Sequence, residues 1–276
     1  MERISILGSG WLGFPLAVEL KQLGYDIKAS SRSEGRLKQL EQTGLSAHYY
    51  DIESDTSDLE FLQADTLIIN ITSKNIDAFK RFIPQIESSP IKYVLFISST
   101  SVYLDSIEEN YPSVTESEES FLKPCPLLDI ERLLQKNKHF QTSIIRFAGL
   151  IGYKRHPGRF FVSINEDGSK VCKPIKNSAA AVNMIHRDDC LAIIKGLLEQ
   201  HIWGEIFNAC SSHHPLRRDF YQSAISHLGN IEAVFSDEDT PTGKVINNDK
   251  VKSVLNYRFK HDNLLDFDSM PFTLSE

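Results

Sequence analysis

Residues 4–13 read ISILGSGWLG, an apolar run that leads into the pattern G-x-G-x-x-G. The run predicts a β-strand, and leucines at helical spacing over 11–23 predict a helix directly after it. In such a turn Gly8 permits the tight bend, Gly10 lets the backbone approach a pyrophosphate, and Gly13 lets the helix pack closely on the strand. The helix N-terminus adds amide donors and a partial positive charge. The sequence therefore predicts a dinucleotide-binding loop.

Further apolar runs follow, with helical patterns between the first of them. The predicted strands are Ile4–Leu7, Ile27–Ser30, Ala47–Tyr50, Thr66–Ile71, Tyr93–Ile97 and Ser143–Phe147. Alternation of strand and helix is typical of parallel βαβ units. We therefore predict an α/β fold with a Rossmann-type, doubly wound parallel sheet over residues 1–150. Glycines, prolines and cations crowd 149–176, so we expect a small, loop-rich substrate lobe over 151–276, with about 183–210 returning to the sheet.

Composition excludes several classes of protein. The 276 residues are 41% hydrophobic and 24% charged, which is typical of a globular chain. A net charge of −7 provides no basic surface for nucleic acid. The first apolar stretch is interrupted by Arg3 and by glycines, so we expect neither a signal peptide nor a membrane span, and a cytoplasmic location. The four cysteines form no C-x-x-C pair, which argues against a zinc knuckle or a dithiol site.

The end of the second strand indicates which dinucleotide is bound. An NAD site usually carries an acidic residue there, whereas this chain has Ser31 and Arg32. Hydroxyls and a guanidinium bind a 2′-phosphate through charge-assisted hydrogen bonds, so NADP is favoured. NAD remains the alternative if Arg32 is only a solvated cation. The candidate cofactor-binding residues are Gly8, Gly10, Trp11, Leu12, Gly13, Ser31, Arg32, Asp51, Ile52, Thr72 and Ser98.

Later motifs add a family resemblance. They are the serine-rich segment 98–103 that ends in Tyr103, Arg146 in the sixth strand, and the segment 185–189, which reads IHRDD. With the glycine loop, their order and spacing resemble the extended short-chain dehydrogenase/reductases, the nucleotide-sugar epimerase/dehydratase superfamily, over nearly the whole chain. The resemblance implies that Ser99 bonds a substrate oxygen and that Thr100 contacts substrate. The G-x-G-x-x-G loop, in place of the commoner G-x-x-G-x-x-G, points to an atypical branch.

The chain departs from that family in its acid/base pair. The family's Tyr-x-x-x-Lys pair is absent, and the matching helix places Lys123 and Leu127 at its two positions. Thr100 and Ser101 replace the Asp-Glu pair of sugar dehydratases, which weakens a dehydratase interpretation. Tyr103, Lys123 or a carboxylate of the acidic segment 106–120 are the alternative proton donors.

The loop 153–159 brings three cations after the sixth strand, which suits an anionic ligand or is simply solvated. Arg155 and Arg159 are therefore candidate substrate-binding residues, for a small polar or phosphorylated molecule. His186 lies near Asp188 and Asp189, but the spacing supplies no third ligand, so we predict no metal site. The resemblance is also compatible with a homodimer.

Two functions stay open at this stage. The first is an NADP-dependent oxidoreductase or epimerase that acts on a small carbonyl or carbinol substrate, with catalytic candidates Ser99 and Tyr103. The second is a noncatalytic NADP(H)-binding redox sensor, which the missing Tyr-x-x-x-Lys pair favours. A scaffold whose cofactor site has been lost ranks below both.

Overall fold

The structure is a computed structural model, and it describes residues 2–54, 58–106, 113–166, 169–229, 231–236 and 242–273. The strands are β1 Arg3–Leu7, β2 Asp26–Ser31, β3 Ser46–Tyr49, β4 Thr66–Ile69, β5 Tyr93–Ser99, β6 Ser113–Val114, β7 Gln141–Phe147, β8 Gly149–Ile151, β9 Val162–Ile164, β10 Lys170–Cys172, β11 Met184–His186, β12 Ile206–Ala209 and β13 Val245–Ile246. The α-helices are α1 Gly13–Gln22, α2 Glu34–Gln42, α3 Ile76–Glu87, α4 Pro126–Gln135, α5 Arg187–Glu199, α6 Arg217–Ser226 and α7 Asp249–Leu255.

The predicted Rossmann-type sheet is confirmed. Seven strands form one parallel sheet in the order β12-β7-β5-β4-β1-β2-β3. All six predicted sheet strands are present, and β12, from the segment 183–210 that was expected to return to the sheet, adds a seventh at the edge. Strand order reverses between β1 and β4, which pair directly from Ile4 opposite Thr66 to Leu7 opposite Ile69. Such a reversal opens a crevice at the carboxyl ends of the two strands.

The sequence of α1 explains why this segment forms a helix that packs on the sheet. Leu16, Ala17 and Leu20 are fully buried at helical spacing, so one apolar face packs on the sheet. Pro15 lies in the first turn, where an amide proton has no intrahelical partner to lose. The helix ends before Gly24, whose φ of +92° suits a residue without a side chain.

The described chain divides into two compact units. The first comprises 1–102, 123–146 and 194–207, and holds most of the large sheet. The second comprises 103–122, 147–193 and 208–276. Relative to the boundary expected near residue 150, residues 103–122 group with the second unit and 194–207 with the first.

The second unit has its own small sheets and core. Strand β8 pairs in parallel with β11, β9 pairs antiparallel with β10, and β6 pairs in parallel with β13. Its core is aromatic and aliphatic, and includes Ile151, Ile175, Phe220, Ile225 and Leu264. None of the helices in the described part of the chain combines the length and the apolar composition of a membrane span.

Candidate functional site

The glycine loop joins β1 to α1, and two of its glycines are required by the fold itself. Gly8 has φ of +96°, and a Cβ there would lie 2.4 Å from the carbonyl oxygen of Asn70. A Cβ on Gly13 would lie 2.1 Å from the carbonyl oxygen of Gly8. Both positions are too crowded for any side chain, because backbone atoms cannot swing away.

Gly10 differs from its two neighbours. A Cβ built on Gly10 meets no heavy atom within 4 Å, and the residue has no positive φ. The fold of the described chain therefore does not require glycine here. Gly10 lines the cleft described next, so its missing side chain keeps open the space that a ligand's pyrophosphate would need.

A cleft of about 770 Å³ lies at the carboxyl ends of β1, β2, β3 and β4. This volume is within the range of small-molecule and cofactor sites. Of the predicted cofactor residues, those that line it are Gly8, Gly10, Ser31, Arg32, Asp51, Ile52 and Thr72. Trp11, Leu12, Gly13 and Ser98 are not among the lining residues. Leu12 is instead almost fully buried beside α1.

Hydrogen bonds from β2 and β4 fix the loop. The amide of Gly8 donates to Ser30 Oγ at 3.2 Å, and Ser9 Oγ donates to the carbonyl of Ser30 at 2.8 Å. Asn70 Nδ2 donates to the carbonyl of Gly8 at 3.0 Å. The loop is thus held from two sides and does not have to be ordered by a ligand. Ser30 and Asn70 were missed from the sequence, although Asn70 directly follows an apolar run, where a cleft residue could be sought.

Two arginines line the cleft beyond the end of β2. Arg32 is 68% exposed and lies 3.6 Å from Asp51, measured from Nη1 to Oδ2. Arg36, in the first turn of α2, also lines the cleft, and its guanidinium lies 5.0 Å from the ring centre of Phe14. The sequence analysis did not name Arg36, although a cation so soon after Arg32 could have indicated it. The two arginines and the hydroxyls of residues 30, 31 and 33 lie at the same end of the cleft. This end is therefore suited to an anionic group.

Ser98 is engaged within the core. Its hydroxyl donates to Glu131 Oε1 at 2.5 Å, and Glu131 is in turn bound by Arg146, with Nη2 and Oε2 2.6 Å apart. All three residues are at least 94% buried. The geometry therefore gives Ser98 a structural role and does not support the predicted contact with cofactor.

The predicted catalytic candidates differ in accessibility. Ser99 is half-buried at the end of β5, and its Oγ accepts the amide of Ser101 at 3.1 Å. Thr100 is 7% exposed. Tyr103 is fully buried, and its hydroxyl donates to Asn208 Oδ1 at 2.8 Å. That burial leaves the Tyr103 hydroxyl without access to a substrate, so we do not carry it forward as a proton donor.

Lys123 and Leu127 lie at the positions of the tyrosine and lysine in the resembling family, and they do not form a substitute acid/base pair. Lys123 precedes α4 and is half-buried, with its amide donating to the carbonyl of Val102. Leu127 lies in α4 and is buried. Residues 107–112 of the acidic segment lie outside the described residues.

The basic loop 153–159 belongs to the second unit. Arg155 is exposed and Arg159 half-buried. Tyr153, with φ of +51°, donates its hydroxyl to Asp188 at 2.8 Å, and burial raises its pKa. The guanidinium of Arg187 lies 3.6 Å from the ring centre of Tyr153. The cations at 155 and 159 remain predicted contacts for an anionic substrate.

Comparison with known proteins supports the same fold. No family model matches the chain. Protein YeeZ of Escherichia coli strain K12 is 28% identical over 280 aligned positions, which cover 95% of this chain and 97% of that protein.

Two solved structures illustrate the likeness. A short-chain dehydrogenase/reductase superfamily protein from Agrobacterium tumefaciens with bound NAD is 16% identical at a TM-score of 0.73, covering 97% of this chain and 96% of that chain. The UDP-glucuronic acid 4-epimerase of Bacillus cereus, in complex with UDP-glucuronic acid and NAD, is 18% identical at a TM-score of 0.73, covering 96% of each chain. The chain therefore has the fold of the NAD-dependent epimerase/dehydratase and short-chain dehydrogenase/reductase proteins, and the predicted likeness is confirmed at the level of the fold.

Proposed function

We propose that the cleft at the glycine loop binds a nicotinamide dinucleotide, with NADP(H) preferred. The observation that carries the proposal is Gly10, a glycine that the described fold does not require and that lines the cleft. The amides at the start of α1 are the donors that a pyrophosphate needs. The solved structures of the same fold with bound NAD support the choice of ligand.

The NADP preference rests on the end of β2. An adenosine ribose lying there would place its 2′-phosphate near Arg32 and Arg36, with the hydroxyls of Ser31 and Ser33 beside them. No carboxylate follows β2 directly, since the next residues are Arg32 and Ser33. Asp51 and Glu53, which also line the cleft, follow β3 and are suited to the adenine end.

The reaction that fits this site is a reduction, oxidation or epimerisation at a carbonyl or carbinol carbon of a small polar substrate. A bound nicotinamide supplies hydride transfer, and the protein orients the reacting groups. Ser99 is the residue we expect to bond the reacting oxygen. Its Oγ serves as acceptor for the Ser101 amide, so its O–H remains available as the donor that a carbonyl oxygen requires. Water or a side chain other than Tyr103 would then exchange the proton.

A noncatalytic redox sensor is the second candidate. The full burial of Tyr103 and the leucine at position 127 favour it, because binding needs only the cleft. Turnover of any carbonyl compound, above the level of a variant that cannot bind cofactor, would exclude a purely noncatalytic role. Equal affinity for NADP and NADPH would argue against sensing.

Replacing Gly10 with aspartate tests the binding site. A Cβ at residue 10 meets no protein atom within 4 Å, so the variant should fold normally. Its carboxylate would block and repel a pyrophosphate, and we expect affinity for NADPH to fall at least about tenfold. Calorimetric titration with NADP, NADPH, NAD and NADH measures this loss.

Gly35→Ala is the matched control, because a Cβ at residue 35 would lie at an ordinary contact distance, 3.9 Å, from Ser33 Oγ. Trp11 lies next to Gly10 in the sequence, so its fluorescence is a second measure of cofactor binding. In a Trp203→Phe background, which keeps an aromatic ring stacked on Tyr93, it is the remaining tryptophan of the chain. Unchanged affinity in Gly10→Asp would overturn this placement of the site.

A further inference from the structure

The second unit contains a compact group of metal-binding side chains. His186 ends β11, Asp188 lies in the first turn of α5, and His261 comes from a segment 73 residues further on. One ligand atom from each residue lies within 4.8 Å of the other two. The sequence analysis identified His186 and Asp188, and the fold brings His261 next to them.

The distances suit a single ion. His261 Nε2 lies 3.2 Å from Asp188 Oδ2, and His186 Nδ1 lies 3.7 Å from the same oxygen. In a tetrahedral zinc site with bonds near 2.0–2.2 Å, neighbouring ligand atoms are about 3.4 Å apart. Both distances to Asp188 are close to this value, and the ligand atoms of the two histidines, which lie within 4.8 Å of each other, would have to approach to share one ion.

His186 would bind the ion through Nδ1. Its ring is fully buried, and Nδ1 accepts the Asp188 amide at 3.2 Å, a long contact that an ion would replace. The other ring nitrogen, Nε2, faces Gly152, where a built Cβ would lie 2.4 Å from it, and takes no part in the site.

Surrounding residues hold the ligands in place. Asp188 Oδ1 accepts the hydroxyl of Tyr153 at 2.8 Å, which orients the carboxylate and leaves Oδ2 toward the histidines. Asp189, fully buried, accepts the amides of Lys260 and His261 at 2.6 and 3.2 Å. Hydrogen bonds of this kind around the ligands are typical of protein metal sites.

We propose that His186, Asp188 and His261 bind a divalent transition-metal ion of the zinc class, with a fourth position left for water or another ligand. Two imidazoles and one carboxylate are a donor set that zinc accepts in proteins. The proposal concerns a site in the second unit and does not depend on the dinucleotide cleft.

Lys260 is the competitor for this site. Its ammonium lies 3.2 Å from Asp188 Oδ2, the oxygen that would ligate the ion. The side chain is 66% exposed, so it can swing into solvent when an ion binds. Removal of this cation should therefore strengthen metal binding, whereas a purely structural cluster predicts no such gain.

The test titrates chelator-treated full-length protein with Zn²⁺ by calorimetry and with Co²⁺ by visible absorption. We expect one equivalent per chain, at least tenfold weaker binding in Asp188→Asn and His261→Gln, and several-fold tighter binding in Lys260→Ala. His227→Gln is the control for adventitious histidine binding, since His227 is paired with His156 elsewhere in this unit. Its affinity should be unchanged.

Binding of less than one equivalent by the wild-type chain would overturn the proposal, as would wild-type affinity in Asp188→Asn and His261→Gln. Circular dichroism checks that each variant folds. If the ligand variants do not fold, Lys260→Ala decides, and an unchanged affinity there also overturns the proposal. None of these results bears on the separate proposal that NADPH binds at Gly10.

Discussion

Three glycines of one loop are glycine for different physical reasons. A Cβ built on Gly8 would lie 2.4 Å from a backbone atom, and a Cβ built on Gly13 would lie 2.1 Å from one, so the fold excludes a side chain at both positions. Gly10 faces open space. At the scale of single residues, the fold accounts for Gly8 and Gly13, and the proposed dinucleotide accounts for Gly10.

Arg32 and Arg36 are the residues on which the choice between NADP and NAD should depend. We expect Arg32→Ala and Arg36→Ala each to weaken NADPH binding about 10- to 100-fold, because a hydrogen bond to a charged group contributes about 1.5–3 kcal/mol. NADH, which lacks the 2′-phosphate, should bind as before. Calorimetric titration of both nucleotides measures the selectivity.

Lys38→Ala, which removes an exposed cation further along α2, is the control for the general loss of positive charge. Parallel losses for NADPH and NADH would show that the arginines support the cleft without reading the 2′-phosphate.

Helix α4 and strand β7 are joined by a buried ion pair. Glu131 and Arg146 are 0% and 2% exposed, with Nη2 and Oε2 2.6 Å apart, and the Ser98 hydroxyl donates a further hydrogen bond to Glu131. A buried pair contributes little relative to apolar residues, but removal of one partner leaves an uncompensated charge in the core. At the scale of elements, this pair therefore fixes how α4 lies on the sheet.

Glu131→Leu or Arg146→Met should lower the free energy of unfolding by about 3–5 kcal/mol each. The double variant should be less destabilised than the sum of the two, since it leaves no unpaired charge. Urea denaturation monitored by circular dichroism measures all three. Strict additivity would contradict direct coupling between the two side chains.

Acid should weaken the whole molecule as the pH falls from 6.5 toward 4, because one buried histidine resists protonation in the folded chain. His156 is fully buried, and burial lowers its pKa to about 4, with smaller contributions from His227 and Arg159. Its Nε2 lies 3.0 Å from His227 Nδ1, and Phe267 and Phe272 complete its surroundings. His227 in turn lies 3.7 Å from the exposed Asp268.

The unfolded chain binds a proton at His156 near pH 6.5, whereas the folded chain resists it. The contribution of neutral His156 is therefore fully present above pH 6.5 and is lost as pH falls toward 4. We expect the free energy of unfolding to drop by up to about 1.4 kcal/mol per pH unit in that range from this residue. Urea denaturation between pH 7.5 and 4.5, with chelator present, measures the slope.

His156→Gln should make that slope shallower, while His139→Gln, at an exposed position, should not. Equal slopes in all three proteins would contradict the role assigned to His156.

Much of the fold and of the cleft at the glycine loop could be predicted from the sequence, because both depend on local patterns. The spacing of glycines and apolar runs located β1, α1 and the ends of β2 and β3 to within a few residues, since parallel strands bring their carboxyl ends to one edge of a sheet. Contacts between distant segments have no such local signal. The burial of Tyr103 against Asn208, 105 residues away, and the approach of His261 to Asp188 arise only when the chain packs.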